Sequence, residues 1–421
     1  MRNGTLILDE IKVWKAVSFN CHTHKLDGFI DYGDGSSEQG GAADHAQVLM
    51  FVPLFHNWVQ PIASFATRNA AFGTVPAQLV LQAILELGKQ NAVVVAVISD
   101  GATTNKAMWS KFGISGKLDC PRHKVPHPCD HHLTLYFLCD TPHLIKCIRN
   151  HLHRHRYGMI GEHKIDFKHY KLLYEADGGH QVRAVPKLTR EHVDPDNLRK
   201  MNVRLAVQLF SRTTALGLSM HSRLKYLGLE DCAGTTHFTA LVNDLFDALN
   251  AKLPARGVKE GSEEITTITE FLELVNITEQ NNRSRGTYMF ASQVTMESLR
   301  VTPASARDLI TELLDSGAEY VLTEKLNQDP LERFFGMIRS FGGDEDHRSI
   351  ISFSHIYRLL SLYTPIKACI HGSVTGESTY VLATMEEAPG CQSSRAGCPG
   401  PPTLVVACRS ELSVRVRVQA C

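Results

Sequence analysis

The chain has 421 residues, of which 43% are hydrophobic and 21% are charged, a composition ordinary for a globular protein of two or three domains. Lys plus Arg and Asp plus Glu both number 44, which argues against a uniformly basic DNA-binding protein unless the charges are segregated. The sequence contains no apolar run of about 18 residues and no signal-peptide pattern, so we expect no membrane partner and read the 11 cysteines as reduced thiols.

The first 160 residues alternate short apolar runs with turn-forming residues and stretches of helical spacing. This pattern predicts strands joined by turns, then helices and buried strands, as in an α/β domain. The predicted strands are Leu6–Leu8, Gly28–Tyr32, Ala46–Val52, Val59–Phe65, 92–99 and Leu133–Cys139, and the predicted helices are 76–90, Thr104–Phe112 and a helix from Thr141.

A mainly helical block interrupts the α/β pattern, with periodic apolar positions at Val203–Leu216, His237–Leu253 and Ile268–Val275. Helical periodicity then returns at 306–322, around Glu332 and at 350–365. We therefore divide the chain into a first α/β part, a helical insertion, a last α/β part and an irregular tail rich in Pro, Gly and Cys. Their bounds are 1–160, 161–305, 306–365 and 384–421.

Three acidic residues stand where a nuclease would need them. Asp9 and Asp100 each end an apolar run, and Glu332 lies near a predicted helix start. Two carboxylates at strand ends and a third on a helix can converge on two divalent metal ions about 3.5–4 Å apart, with Mg²⁺ as the suitable ion. From spacing alone, turn formation or helix capping is the better explanation for any one of them.

Three longer motifs are more specific, and they occur in the order Ser99–Trp109, Phe137–Asn150 and Leu326–Gly336. Together they resemble the P-element family of DNA transposases, including the THAP-type transposase-derived proteins of animals, over roughly residues 1–365. The resemblance implies an RNase H-like catalytic domain interrupted by a GTP-binding insertion. It also implies that Asp9, Asp100 and Glu332 are the catalytic carboxylates and the ligands of two Mg²⁺ ions.

The family's activity is cut-and-paste DNA transposition in the nucleus, so the resemblance implies DNA as the partner and leaves a homo-oligomer open. An activated water would cleave the transposon end, and the freed 3′-hydroxyl would attack target DNA. The alternatives are a catalytically silent remnant that binds DNA or protein, and a nucleotide-binding regulatory module. The sequence has no counterpart of the family's THAP zinc finger, so we expect weakened site-specific DNA binding.

The sequence contains no phosphate-binding loop of the GxxxxGK[ST] type, so GTP is predicted from the resemblance only. The resemblance implies that Asn243, Phe246 and Asp247 recognise the guanine base. It further places Lys187 near the phosphates and Val203 and Ser211 at neighbouring positions of the pocket. The alternative is an amphipathic helix with Phe246 in the core and Asp247 on its solvated face.

Four further predictions concern helix starts and polar clusters. We expect Asp329 to cap the Glu332 helix with Pro330 at its first position, and Asp140 to be a helix cap or else an auxiliary acidic group. The Cys- and His-rich stretch 120–132 is read as a solvated loop, with zinc as the less favoured alternative. The basic stretch 146–156 is either a DNA contact or an exposed helix end.

Overall fold

The computed structural model describes residues 2–21, 24–33, 41–68, 74–179, 182–341 and 348–371, without the side chains of 363–371. The tail predicted at 384–421 lies outside the described residues. No helix in these ranges is long and apolar enough to span a membrane. The strands are β1 (Arg2–Lys12), β2 (Ser18–Asn20), β3 (Lys25–Asp27), β4 (His45–Pro53), β5 (Gln60–Thr67), β6 (Ala92–Ser99), β7 (Lys124–Pro126), β8 (Thr134–Cys139), β9 (Tyr157–Ile160) and β10 (His163–Asp166).

The first three helices alternate with the strands, and the described chain after β10 is mainly helical. The helices are α1 (Thr74–Lys89), α2 (Thr103–Lys111), α3 (Thr141–His155), α4 (Lys168–Gly178), α5 (Arg190–Val193), α6 (Val203–Leu209), α7 (Arg212–Arg223), α8 (Ala233–Ala248), α9 (Glu263–Arg285), α10 (Gln293–Asp315), α11 (Asp329–Ser340) and α12 (Ile350–His371).

The core is a six-stranded mixed sheet with the strand order β5-β4-β1-β6-β8-β7. The central strands β1, β6 and β8 are parallel, whereas β4, β5 and β7 add to them in antiparallel fashion. Every residue of β6 is buried, as expected of a parallel strand that is covered on both faces. The parallel pairing brings the carboxyl ends of β1, β6 and β8 to one edge of the sheet.

Most of the predicted strands are confirmed, as β1, β4, β5, β6 and β8. The predicted strand Gly28–Tyr32 is wrong, because this segment forms only two isolated bridges, from Phe29 and Asp31. Gly28 has a positive φ of 107°, and a Cβ there would lie 1.9 Å from the carbonyl oxygen of Ala16. The backbone therefore turns at Gly28, whose positive φ is incompatible with an extended strand.

The helical insertion is confirmed, but the single helix predicted over Val203–Leu216 is two helices, α6 and α7. The break falls at Ser211, whose hydroxyl accepts a hydrogen bond from the Thr214 N–H at 3.3 Å and caps α7. Apolar periodicity continues across the break, and a serine that caps a new helix interrupts the backbone without interrupting that pattern.

Helix α10 packs against β8 and joins the insertion to the sheet. The Thr302 hydroxyl accepts from the Cys139 N–H at 2.8 Å, and the Ser305 hydroxyl donates to the Phe137 carbonyl at 2.7 Å. Gly116 allows a close approach on the same side, since a Cβ there would lie 2.2 Å from the carbonyl oxygen of Glu297. These contacts fix α10 relative to the strand that leads into Asp140.

A buried ion pair holds α9 against α10. Arg300 and Glu279 are only 4% and 1% exposed, and their charged groups are 2.6 Å apart. Burial alone would raise the pKa of Glu279, but the hydrogen bonds from Gln293 and Arg300 and the charge of Arg300 hold it below its usual 4.5. Arg300 also donates to Asn276 at 2.7 Å and to the Gly116 carbonyl, so it links the insertion to the sheet domain.

We expect Arg300→Ala to lower the free energy of unfolding by about 3 kcal/mol, because it removes the buried partner of one Glu279 oxygen, while Arg283 and Gln293 still bind the other. The measurement is urea denaturation, with Arg285→Ala as the control, since its pair with Glu162 is exposed and contributes at most about 1 kcal/mol. Because the pKa of Glu279 is lowered, its contribution is complete above pH 4.5 and is lost as the pH falls through the lowered pKa. Equal losses in the two variants would contradict this assignment.

Candidate active site

The parallel register of β1 and β6 brings Asp9 and Asp100 to the same edge of the sheet. Ile7 pairs with Ile98, and Asp9 and Asp100 each follow two residues later. Neighbouring strands lie about 4.8 Å apart, and paired residues of parallel strands point to the same face. The two aspartates predicted as catalytic are therefore neighbours across the strand ends.

The register continues to β8 and adds Asp140 to the row. Ser99 pairs with Cys139, so Asp100 and Asp140 follow their strands at the same level, and the Asp140 N–H donates to the Ser99 carbonyl at 2.9 Å. Asp100 and Asp140 thus follow the last residues of β6 and β8, and Asp9 lies within β1 just beyond its last pairing with β6.

Asp140 has a second role as a hydrogen-bonding centre. It caps α3, as predicted, by accepting from the His143 N–H at 2.9 Å. Its other oxygen accepts from the Gln328 N–H at 2.8 Å, and the carboxylate is only 3% exposed. The Gln328 side chain in turn donates to the Leu8 carbonyl at 2.7 Å. These bonds fix the start of α11 beside the last residues of β1.

Glu332 lies in the first turn of α11 and is exposed. Its N–H donates to the Gln328 carbonyl at 3.0 Å, which orients it relative to the sheet edge. The prediction that Asp329 caps this helix is wrong, because Gln328 is the N-cap residue and its side chain forms no capping bond. Asp329 is already helical, and its carboxylate pairs instead with Lys252 at 3.0 Å, a cation contributed by the insertion.

The electrostatics of Asp9 show that the acidic groups act on one another. Burial raises its pKa to about 7; the hydrogen bond from the Glu10 N–H opposes the rise, and the charges of Asp100, Glu332 and Asp140 add to it. The pKa of Asp140 is also raised to about 7, mainly by burial, against the bonds from Gln328 and His143. Burial and the mutual repulsion of these acidic groups therefore both oppose ionisation at this edge of the sheet.

Asp100 is oriented by the loop that follows it. Its carboxylate accepts from the Ala102 N–H at 2.9 Å and from the Asn105 side chain at 2.6 Å. Sequence reasoning did not single out Asn105 or Gln328, although both lie inside the quoted motifs. The signal available in the sequence was an amide side chain close to each acidic residue, Asn105 after Asp100 and Gln328 before Glu332.

Three of the acidic side chains offer the kind of ligand that Mg²⁺ takes. Asp9, Asp100 and Glu332 supply carboxylate oxygens, the ligands that Mg²⁺ prefers, and a divalent cation would favour the ionised form of Asp9, which burial and the neighbouring acidic charges disfavour. The donors therefore fit in kind. Among the described residues, no group of three His, Cys, Asp or Glu side chains is arranged to hold a metal ion as it stands, so the carboxylates would have to draw closer around one.

Part of the predicted nucleotide pocket is assembled at the start of α7 and the end of α8. The Asn243 side chain accepts from the Arg212 N–H at 3.0 Å and donates to the Asp247 carboxylate at 3.1 Å. Ser211 immediately precedes Arg212, and Asp247 is exposed. Ser211, Asn243 and Asp247 thus form one polar surface.

The other three predicted pocket residues are less closely joined to this surface. Phe246 is half-buried and packs against the core, which favours the core interpretation for its ring. Val203 is the first residue of α6, and Lys187 is exposed before α5. Within the described part of the chain, no hydrogen bond or ion pair links Lys187 to Asn243 or Asp247.

The two polar clusters noted in the sequence have structural roles. In the stretch 120–132, His123 pairs with Asp308 at 2.8 Å and the His127 ring accepts from the Cys129 N–H at 3.1 Å. In the stretch 146–156, Arg149 is fully buried, and its guanidinium donates to backbone carbonyls of residues 199–202. Only the end of that stretch, at 154–156, is exposed.

Comparison with family models gives three matches in chain order. Residues 1–113 match the TNP-like RNase H N-terminal domain, residues 142–261 the TNP-like GTP-binding insertion domain, and residues 324–358 the TNP-like RNase H C-terminal domain. An RNase H-like fold split by a GTP-binding-type insertion defines the class of the protein as a transposase. The predicted fold class is confirmed.

Individual relatives agree with this class. The chain is 29% identical to the Transposable element P transposase of Drosophila melanogaster over 84% of its own length and 46% of the relative's. It is 26% identical to the human DNA transposase THAP9 over 59% of its length and 27% of the relative's. The solved Drosophila P element transposase strand transfer complex matches with a TM-score of 0.71 and 27% identity, over 86% of this chain and 76% of that one.

The chain belongs to the P-element family of transposases, as its motifs predict. It spans less than half the length of the two curated relatives.

We expect Asp140→Ala to destabilise the fold by about 2–4 kcal/mol, because it removes a helix cap and leaves the buried Gln328 N–H unpaired. Ser292→Ala is the matched control, since Ser292 caps α10 through Thr295 alone and its loss costs about 1 kcal/mol. Chemical denaturation of both variants gives the comparison. An Asp140→Ala variant no less stable than Ser292→Ala would show that the bond to Gln328 contributes nothing.

Proposed function

We propose that the chain is the catalytic core of a DNA transposase that cleaves and joins DNA ends. Asp9, Asp100 and Glu332 are its catalytic carboxylates. The observation that carries this proposal is the parallel register that places Asp9 beside Asp100, together with the effect of the charges of Asp100 and Glu332 on the pKa of Asp9.

Asp9, Asp100 and Glu332 are also the groups that would hold two Mg²⁺ ions. Such ions, when bound, activate a water or a 3′-hydroxyl and stabilise the leaving oxygen. The protein contributes orientation: Ala102 and Asn105 fix the Asp100 carboxylate. Asp140 remains a positioning residue, because both of its oxygens are engaged by backbone N–H groups.

GTP is the proposed ligand of the insertion. The Asp247 carboxylate would accept hydrogen bonds from the N1–H and the amino group of guanine, and Asn243 would bind the edge of the base. Ser211 and Val203 would line the pocket, Phe246 would contact the base, and Lys187 would reach the phosphates. Bound GTP would position DNA at the sheet edge.

The catalytic domain comprises residues 1–160 and 306–365, and the insertion comprises residues 161–305. DNA is the partner, two or more copies of the chain assemble on it, and the reaction takes place in the nucleus. The alternative is a catalytically silent relative that retains the fold and binds DNA or protein.

We expect Glu332→Gln to reduce strand transfer by more than about 100-fold, since it removes the charge of a proposed metal ligand. The assay joins pre-cleaved DNA ends to a supercoiled plasmid in the presence of Mg²⁺ and GTP. Glu319→Gln, an exposed glutamate beyond α10, is the matched control and keeps wild-type activity. Absence of joining by the wild-type chain, or equal joining by Glu332→Gln, would favour the silent alternative.

We expect Asp247→Ala to weaken GTP binding by roughly 10- to 100-fold, because a hydrogen bond to a charged group contributes about 1.5–3 kcal/mol. Isothermal titration calorimetry measures this, with ATP as the competing nucleotide. Asp315→Ala, at the exposed end of α10, is the control and leaves the affinity unchanged. Equal affinity of the wild-type chain for GTP and ATP would remove Asp247 from base recognition.

A further inference from the structure

Two histidine rings lie side by side on one face of the last turns of α3. The ring centres of His151 and His155 are 4.4 Å apart, and the ring planes are inclined to each other by 31°. Residues four positions apart are neighbours on the same face of a helix, so the helix itself holds the two rings together. His151 is half-buried and His155 is exposed, which leaves the pair open to solvent.

The third histidine of this stretch belongs to the core. His153 is buried and packs edge-on against Phe167, with the ring centres 5.2 Å apart. Each residue of a helix turns by about 100°, so His153 points away from the face that carries the other two. Packing therefore explains His153, whereas the other two rings meet at the surface.

The separation of the two rings fits that of two imidazoles bound to one metal ion. Metal–nitrogen distances of about 2.0–2.1 Å place the centres of two such rings roughly 4.5–5 Å apart, for bond angles between about 90° and 110°. The observed 4.4 Å is close to the right-angle arrangement that Ni²⁺ and Cu²⁺ adopt. Helical motifs that hold zinc through two histidines use the same spacing of four residues.

The surroundings of His151 favour the form of the ring that binds metals. Burial is the main cause that lowers its pKa, and the charges of His155 and Arg154 add to this, while hydrogen bonding to the Met289 backbone opposes it. A neutral imidazole has one N–H and one nitrogen with a free lone pair. Histidines that bind metals almost always donate that N–H to a carbonyl, a carboxylate or water, and the Met289 carbonyl takes this part for His151.

The position of the pair at the end of α3 also affects its affinity for a cation. The last carbonyls of a helix carry a partial negative charge that attracts cations, and α3 ends at His155. Arg154 acts in the opposite sense, because its charge would repel a metal ion as it repels the charged form of His151. We therefore expect a site of moderate affinity.

We propose that His151 and His155 bind one divalent transition-metal ion of the class that prefers imidazole nitrogen, with water completing its coordination. The site is separate from the carboxylate edge of the sheet, since α3 begins at Thr141 beside that edge and His151 follows about 15 Å farther along the helix. A bound ion would hold the last turns of α3 in helical form, because the two rings share a face only in a helix. This assignment does not depend on the proposed reaction with DNA.

Isothermal titration calorimetry with NiCl₂ tests the site on the full chain, without a polyhistidine tag and with Mg²⁺ in excess. Ni²⁺ binds imidazole, whereas Mg²⁺ prefers oxygen ligands, so Mg²⁺ occupies carboxylates without competing for the histidines. We expect His151→Asn to weaken Ni²⁺ binding at least about 10-fold, since losing even an outer partner of a metal ligand costs about 10- to 100-fold. His355→Asn, at an exposed histidine of α12, is the matched control and leaves the affinity unchanged.

A double variant distinguishes one shared ion from two independent histidines. Because one ion needs both rings, we expect His151→Asn, His155→Asn and the double variant to lose the site to the same extent, whereas the effects of independent rings would add. Ni²⁺ is also expected to raise the Tm of the wild-type chain but not that of the double variant, because a ligand of the native state stabilises it. Circular dichroism of the metal-free chains verifies that each variant is folded.

The results that would overturn the assignment are specific to the histidine pair. They are equal Ni²⁺ affinity in His151→Asn and His355→Asn, or losses in the two single variants that add up in the double variant. Either result counts against the metal site even if the chain joins DNA ends. Equal loss of the site in all three variants of the pair supports it even if the chain joins none.

Discussion

The carboxylate of Asp140 determines how the two separated parts of the catalytic domain meet. It ends β8, caps α3 and accepts the N–H of Gln328, while the Gln328 side chain holds the end of β1. Because a buried carboxylate without partners is costly, the start of α11 has one favourable position against the sheet. The placement of Glu332 and the contact of Lys252 with Asp329 both depend on that position.

At the same edge of the sheet, ionisation of the acidic side chains is unfavourable when no ligand is bound. Burial and mutual repulsion raise the pKa of Asp9, so the fold places a carboxyl group where its ionised form is disfavoured. Strain of this kind is typical of functional sites, where an external ligand offsets the cost that folding leaves.

Much of the fold could be predicted because buried strands and amphipathic helices leave periodic patterns in the sequence. The site was more difficult, because Asp9 and Asp100 become neighbours only through a strand register, and Glu332 is positioned only by tertiary contacts of α11, neither of which a local pattern encodes. The cap at Asp329 was wrongly predicted, since Lys252 from the insertion binds its carboxylate. The break at Ser211 and the turn at Gly28 were missed because apolar spacing does not record a hydroxyl cap or a positive φ. The role of Gln328 depends on its contacts with Asp140 and Leu8, which only the tertiary structure reveals.

The long separation between Asp140 and Gln328 has a consequence for the order of events during synthesis. Gln328 follows Asp140 by 188 residues, so at about 5–20 residues per second the ribosome needs roughly 10–40 s to supply it. During that interval the strands that carry Asp9 and Asp100 can pair, and the insertion can form its own core. The third carboxylate arrives last, so a nascent or prematurely terminated chain lacks a complete acidic centre. The insertion thus separates the synthesis of Glu332 from that of Asp9 and Asp100.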